Sequence, residues 1–282
     1  MSYNISSDQF TNPLLKELLQ VLTGYFKSVD SDFYVIGATA RDIILSGIHK
    51  QVPVRGTIDL DIAVAIPDWS MFQKISDGLC AMDAFSKSQH HNQRFYYKTL
   101  FQLDIVPFGA IARAGNWIFW PPEETTAMSV SGFSEVLKHA LEITIDDDLT
   151  VYVASLPGIF ILKLNAWKSR NQETNRDAED MAIIMSVYLE INEHRAVKEN
   201  YDLYETEDFS TFIAGATLLG RDMKEILWGN SEVLNEFREI LGTEVRNSED
   251  SILINQMLET YPMLQYEEVY EALKALTQEL KT

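Results

Sequence analysis

Cysteine is almost absent from this chain. Cys80 is the only one in 282 residues, which excludes an intramolecular disulfide framework and a zinc site built from several thiolates. Positive charge is scarce as well: 23 Lys and Arg stand against 42 Asp and Glu, a formal net charge of −19. Such a surface repels a polyanion at long range and excludes broad coating of nucleic acid. A local basic site for a nucleotide or an RNA end stays open, because charges farther than roughly 8–10 Å are screened in physiological salt. No apolar run approaches the roughly 18 residues of a membrane span, and the opening residues MSYNISSDQF lack the basic and apolar regions of a secretory signal. The expectation is a cytoplasmic protein without membrane association.

Hydrophobic residues make up 46% of the chain and charged residues 23%, enough apolar matter to build a core and too little charge for a disordered chain. Residues 12–26 carry Leu14, Leu15, Leu18, Leu19, Leu22 and Tyr25 at helical spacing. A short β-favouring run at 33–36 stops at Gly37, and a helical pattern resumes over 40–48. The stretch 58–66 alternates acidic with apolar residues and predicts a strand, followed by a helix over 70–81. Residues 95–97 and 100–106 predict the arms of a hairpin, 109–122 a loop, and 141–145 with 149–154 a second hairpin turning at Asp146-Asp147-Asp148. From Ser155-Leu156-Pro157 onward the pattern is helical, with further helices expected at 176–190, 209–219, 231–241, 251–258 and 267–281. The fold class expected is α+β, a mixed-sheet domain over 1–156 followed by a mainly helical domain over 157–282.

The segment with chemical content is Gly37-Ala38-Thr39-Ala40-Arg41-Asp42, followed by Arg55-Gly56-Thr57-Ile58-Asp59-Leu60-Asp61. Side chains two apart on a strand share a face, so Asp59 and Asp61 project together while Leu60 enters the core. Adjacent carboxylates repel unless a cation lies between them, and hard divalent cations such as Mg²⁺ accept oxygen ligands of this kind. Asp104, between Leu103 and Ile105 on another predicted strand, supplies a third carboxylate if the two strands are neighbours. The Gly37 turn would let backbone amides approach a phosphate, with Thr39 adding a hydroxyl donor.

Gly37-Ala38-Thr39, then Asp59-Leu60-Asp61, then a lone Asp104 resembles the signature of the polymerase-beta-type nucleotidyltransferase superfamily. The Arg55-x-Thr57-x-Asp59-x-Asp61 form is most similar to its AbiEii/AbiGii toxin-like branch. A weaker match follows in Leu162-Lys163-Leu164-Asn165-Ala166-Trp167-Lys168-Ser169-Arg170 and Arg176-Asp177-Ala178-Glu179-Asp180, similar to that branch's Lys-containing helix and Arg-Asp-x-x-Asp element. The likeness spans roughly residues 33–185. It implies a mixed-sheet nucleotidyltransferase domain with a helical domain, Mg²⁺ or Mn²⁺ as cofactor, and a nucleoside triphosphate as donor. It further implies an RNA or protein acceptor and an antitoxin-type partner. Asp59, Asp61 and Asp104 would then be catalytic and metal-binding. Gly37, Ala38, Thr39, Arg41, Arg55, Thr57, Lys163 and Arg170 would contact the nucleotide, and Asp177 and Asp180 would brace the site. Ala38 stands where many relatives have Gly or Ser, which leaves the phosphate grip either resting on Thr39 or impaired.

Each of these residues also has a plainer reading. Asp59 and Asp61 can be a solvated strand face, Asp104 an edge aspartate, Arg41 and Asp42 a surface pair, and Lys163 and Arg170 the wet side of a packed helix. The alternative at the level of the whole protein is a non-catalytic nucleotide-binding or regulatory protein that keeps the fold. His90 and His91 are adjacent on the chain and read as loop residues, Cys80 as a small buried hydrophobe, and Trp117 and Trp120 as packed aromatics, with base stacking the lesser choice.

Overall fold

The computed structural model describes residues 2–51, 57, 59–205 and 208–281. They form two compact units, Met1–Ser155 and Leu156–Thr282. The first unit holds the strands β1 (Ser2–Ile5), β2 (Tyr34–Ile36), β3 (Asp59–Ala65), β4 (Phe85–Lys87), β5 (Arg94–Tyr97), β6 (Phe101–Phe108), β7 (Trp117–Phe119), β8 (Ala127–Ser129), β9 (Leu141–Ile145) and β10 (Leu149–Val153). Among them run α1 (Leu14–Ser28), α2 (Gly37–Asp42), α3 (Trp69–Cys80) and α4 (Phe133–Lys138). Eight strands make one mixed sheet in the order β1-β9-β10-β2-β3-β6-β5-β4, and β7 and β8 pair separately. The α+β expectation holds at this level.

The strands follow from their alternation. In β3 the apolar Leu60 and Ile62 are fully buried, and in β6 so are Leu103 and Ile105, while the acidic residues between them face away from that core. The expected end of β6 at Val106 is passed: the strand runs on through Pro107 to Phe108. Pro107 has no N–H to donate, but β5 reaches only as far as Asp104, so at Pro107 the sole neighbour is β3.

Helix α3 is capped by Asp68, whose side chain accepts from the Met71 N–H, and buries Phe72, Ile75, Ser76 and Leu79. Cys80 was expected inside and is exposed, because it follows Leu79 by one residue and is therefore turned about 100° off the buried stripe. The expected loop over 109–122 contains β7. Trp120, 3% exposed, packs on Trp69 and Phe72 with ring centroids 5.0 and 5.2 Å away. β1 and α4 were not anticipated; β1 is only four residues long and is held by parallel pairing with the distant β9.

The second unit comprises α5 (Leu156–Arg170), α6 (Arg176–Ile191), α7 (Glu193–Glu199), α8 (Thr211–Leu227), α9 (Ser231–Asn247), α10 (Ile252–Thr260) and α11 (Tyr266–Glu279). Ser210, Asn230 and Ser251 cap α8, α9 and α10, each side chain accepting from the backbone N–H three residues on. Helix α5 is buried over most of its length from Leu156 to Trp167, with Lys163 and Ala166 half-buried. Among the described residues no helix is long and apolar enough to cross a membrane.

Candidate functional site

β3 and β6 are parallel neighbours in a register that pairs Asp61 with Asp104 and Asp59 with Gln102. Strands side by side lie about 4.8 Å apart, so Asp61 and Asp104 stand flank to flank, with Asp59 two residues back on the same face. On the far side of β6, antiparallel β5 sets Arg94 opposite Asp104 and Tyr96 opposite Gln102. One polar face thus carries two rows: Arg94, Asp104 and Asp61, then Tyr96, Gln102 and Asp59. All six side chains are half-buried.

Arg94 was not singled out in the sequence, and it governs the charge of this face. Its Nε and Nη2 donate to the two carboxylate oxygens of Asp104, each at 2.8 Å, and the Gln102 amide nitrogen lies 3.4 Å from Asp104 Oδ2. The Asp104 carboxylate holds the Arg94 guanidinium above its ordinary value against the opposing effect of burial, and the charge of Asp61 adds to this. The signal was legible in part. Arg94 and Tyr96 alternate with the buried Phe95 and Tyr97, so a hairpin turning at 98–100 reflects Arg94 onto Asp104.

Gly37 sits against Asp61. Its φ is +69°, a region where other residues are strained, and a methyl at this position would overlap Asp61 Oδ2 and approach its Cβ and Cγ at 3.1 Å. Gly37→Ala is therefore expected to cost ~1–3 kcal/mol and to push the Asp61 carboxylate out of line. In urea unfolding its midpoint should fall, whereas Gly24→Ala, on α1 with nothing within 4 Å of the added carbon, should leave the midpoint equal or higher.

The residues after Gly37 are buried. Ala38 is 8% exposed and Thr39 4%, and the Thr39 hydroxyl donates to the Asp59 main-chain carbonyl at 2.6 Å. The hydroxyl expected on a phosphate therefore fastens the start of β3. Arg41, 2% exposed, is no surface group: its Nε and Nη2 donate to Asp42 Oδ1 at 2.9 and 2.6 Å, and the Thr57 hydroxyl donates to Asp42 Oδ2. Arg41, Asp42 and Thr57 form a buried polar brace. Arg55 lies outside the described residues.

Lys163 and Arg170 belong to the second unit, where α5 meets α6. Lys163 Nζ lies 3.2 Å from Asp177 Oδ1 and 2.6 Å from Asp180 Oδ2, and both carboxylates are fully buried. Arg170 donates through Nε and Nη2 to Asp177 at 2.7 and 2.8 Å. Burial alone would raise the Asp177 carboxyl, but the Arg170 hydrogen bonds and the charges of Lys163 and Arg170 prevail and hold it below the ordinary carboxylate range. A group depressed in the folded state stabilises above its unfolded pKa of about 3.9 and loses that contribution as the pH falls through its lower folded value. The melting temperature of the helical signal should accordingly drop as the pH is lowered from 5 toward 2, and more steeply than in Asp177→Asn.

The donor chemistry of Asp59, Asp61 and Asp104 suits a hard divalent cation. The convergence is incomplete, since among the described residues no set of three or more His, Cys, Asp or Glu is gathered to hold a metal, and both Asp104 oxygens are engaged by Arg94. Asp104 can join only after Arg94 lets go. His90 and His91 are exposed loop residues. Comparison with known protein families, with curated proteins and with solved structures finds no match to this chain.

Proposed function

We propose that the first unit is a divergent nucleotidyltransferase domain that moves a nucleoside monophosphate from a nucleoside triphosphate to a hydroxyl of an RNA or protein acceptor. The observation that carries this reading is the β3–β6 register, which pairs Asp61 with Asp104 and leaves Asp59 on the same face, beside a glycine bend that presses against Asp61. Asp59 and Asp61 would hold Mg²⁺ or Mn²⁺, which would supply neutralisation of the triphosphate oxygens. The chain's own part is positioning and charge. Gly37 admits close approach to Asp61, Thr39 fixes the Asp59 backbone, and Asp104, once released, orients the acceptor hydroxyl and draws its proton. The acceptor oxygen bonds to the α-phosphorus as the bond to pyrophosphate breaks.

A second reading is a nucleotide-binding or regulatory protein without turnover, and the bidentate Arg94–Asp104 pair favours it. Incubating the full chain with each α-labelled triphosphate, Mg²⁺ and total RNA or cell lysate separates the two. Label in an acceptor band with released pyrophosphate supports transfer; nucleotide affinity by titration calorimetry with no pyrophosphate supports the regulator. A toxin-like role with an antitoxin-type partner predicts growth arrest on expression, relieved by a companion reading frame beside the gene.

A further inference from the structure

Helix α9 sets Glu236, Ile240, Thr243 and Glu244 three or four residues apart, on one face. Between α9, α5 and α10 lies a cavity of about 440 Å³, walled by Trp167, Ile240, Thr243 and Ile252, with Glu244 in its lining. Glu244 is only 7% exposed. A carboxylate that deep ordinarily faces a lysine or arginine, yet among the described residues this one forms no ion pair. What fixes it is the first turn of α10: the Ser251 hydroxyl donates to Oε2 at 2.8 Å, and the Leu253 N–H donates to the same oxygen at 3.1 Å. Oε1 accepts from no group among the described residues and is not sealed from solvent. The cations close by answer other carboxylates, since Lys168 on the cavity rim lies 3.1 Å from Glu236 and Arg246 pairs with Glu239. An apolar chamber thus carries one rigidly held, negatively charged acceptor.

We propose that this cavity binds a primary alkylammonium group, its N–H donating to Glu244 Oε1 and its stem packing on Trp167, Ile240 and Ile252. The head group follows from the acceptor. A guanidinium fork needs both carboxylate oxygens side by side, and Oε2 is already taken by two donors. A hard metal ion needs several oxygen ligands, and one oxygen among apolar walls does not supply them. A quaternary ammonium has no N–H to give. A primary ammonium needs a single acceptor and brings its own apolar stem. The inference is independent of the nucleotidyltransferase reading, because every residue it uses lies in the helical unit.

The test is titration of the full chain with n-butylammonium, n-butylguanidinium and tetramethylammonium chlorides, read by saturation-transfer NMR on the ligand protons and by the rise in melting temperature that binding to the folded state produces. The n-butylammonium ion should bind about 10-fold or more tightly than tetramethylammonium, the worth of a charge-assisted hydrogen bond, with n-butylguanidinium between them. Glu244→Gln keeps an oxygen for Ser251 and Leu253 and discards the charge; it should lose n-butylammonium about 10-fold or more. Ile252→Trp, which adds bulk from the exposed first residue of α10, should also block it, and it serves if the glutamine variant fails to fold. Doubly capped lysine, with acetyl and methylamide ends, distinguishes the source: tighter binding than n-butylammonium supports a lysine of a partner protein, and weaker binding supports a free amine. Equal binding of all three cations, abolished by salt, is the ion atmosphere of a chain with a net charge of −19 and overturns the inference. So does n-butylammonium binding that is absent or that survives both substitutions, and each of these results leaves the transferase reading untouched.

Discussion

Replacing Asp59 and Asp61 together by Asn lowers metal-dependent transfer of label from nucleoside triphosphates by about 100-fold or more, with circular dichroism and melting unchanged or slightly improved. The magnitude follows from what the pair would do: removing one preorganised electrostatic contact from a transition state typically costs about 10²–10³ in rate, and this change removes two. Fold loss is not expected, because both side chains lie on the half-buried polar face of β3 and the core-forming Leu60 and Ile62 are untouched. The amide keeps the shape and discards the charge. Undiminished transfer by the double variant would end the catalytic assignment of this face.

Truncating Lys163 to Ala destabilises the second unit by ~3–5 kcal/mol, the usual cost of leaving one member of a buried ion pair behind. Asp177 and Asp180 are both fully buried. Without Lys163 the buried charge of Asp180 loses its contact at 2.6 Å, and Asp177 loses one of its two cations. Urea unfolding followed through the helical signal reads this directly, and Lys163→Arg should recover most of the loss. A change below about 1 kcal/mol would mean that the cluster is hydrated and that Lys163 is an ordinary surface cation. The resemblance assigns Lys163 to phosphate; its geometry makes it first a counter-charge for two carboxylates inside the helical unit.

Much of this was readable from local pattern, and what was missed has a common cause. The alternation around Leu60 and Ile62 announced β3 and told which way Asp59 and Asp61 face, since period two leaves no choice. Asp104 could be set on a strand for the same reason, but no local pattern says that its strand runs parallel to β3 with Asp61 beside it; that is fixed by long-range pairing. Arg94 was overlooked because its role appears only when the hairpin is folded about residues 98–100. Thr39 and Arg41 were assigned to the ligand from the Gly37 turn and the family resemblance. Polar groups are usually turned outward, and only the packing of α2 on β3, with Asp42 and Thr57 as partners, explains why these two are buried. β1 escaped notice because four mixed residues carry no periodicity and their partner β9 lies far along the chain.

The parallel register of β3 and β6 has a bearing on how this face can vary. Everything between the two strands, α3 with β4 and β5, is an excursion that leaves and returns to the same edge, and residues added where α3 gives way to β4 leave the β3–β6 pairing as it is, whereas a change of length in the turn at 98–100 would shift Arg94 along Asp104. A single residue deleted inside β6 ahead of Asp104 goes further: Leu103 would rotate onto the polar side and the aspartate into the hydrophobic layer. The acidic couple thus tolerates length changes beyond its own hairpin and is intolerant of a one-step shift in its own strand.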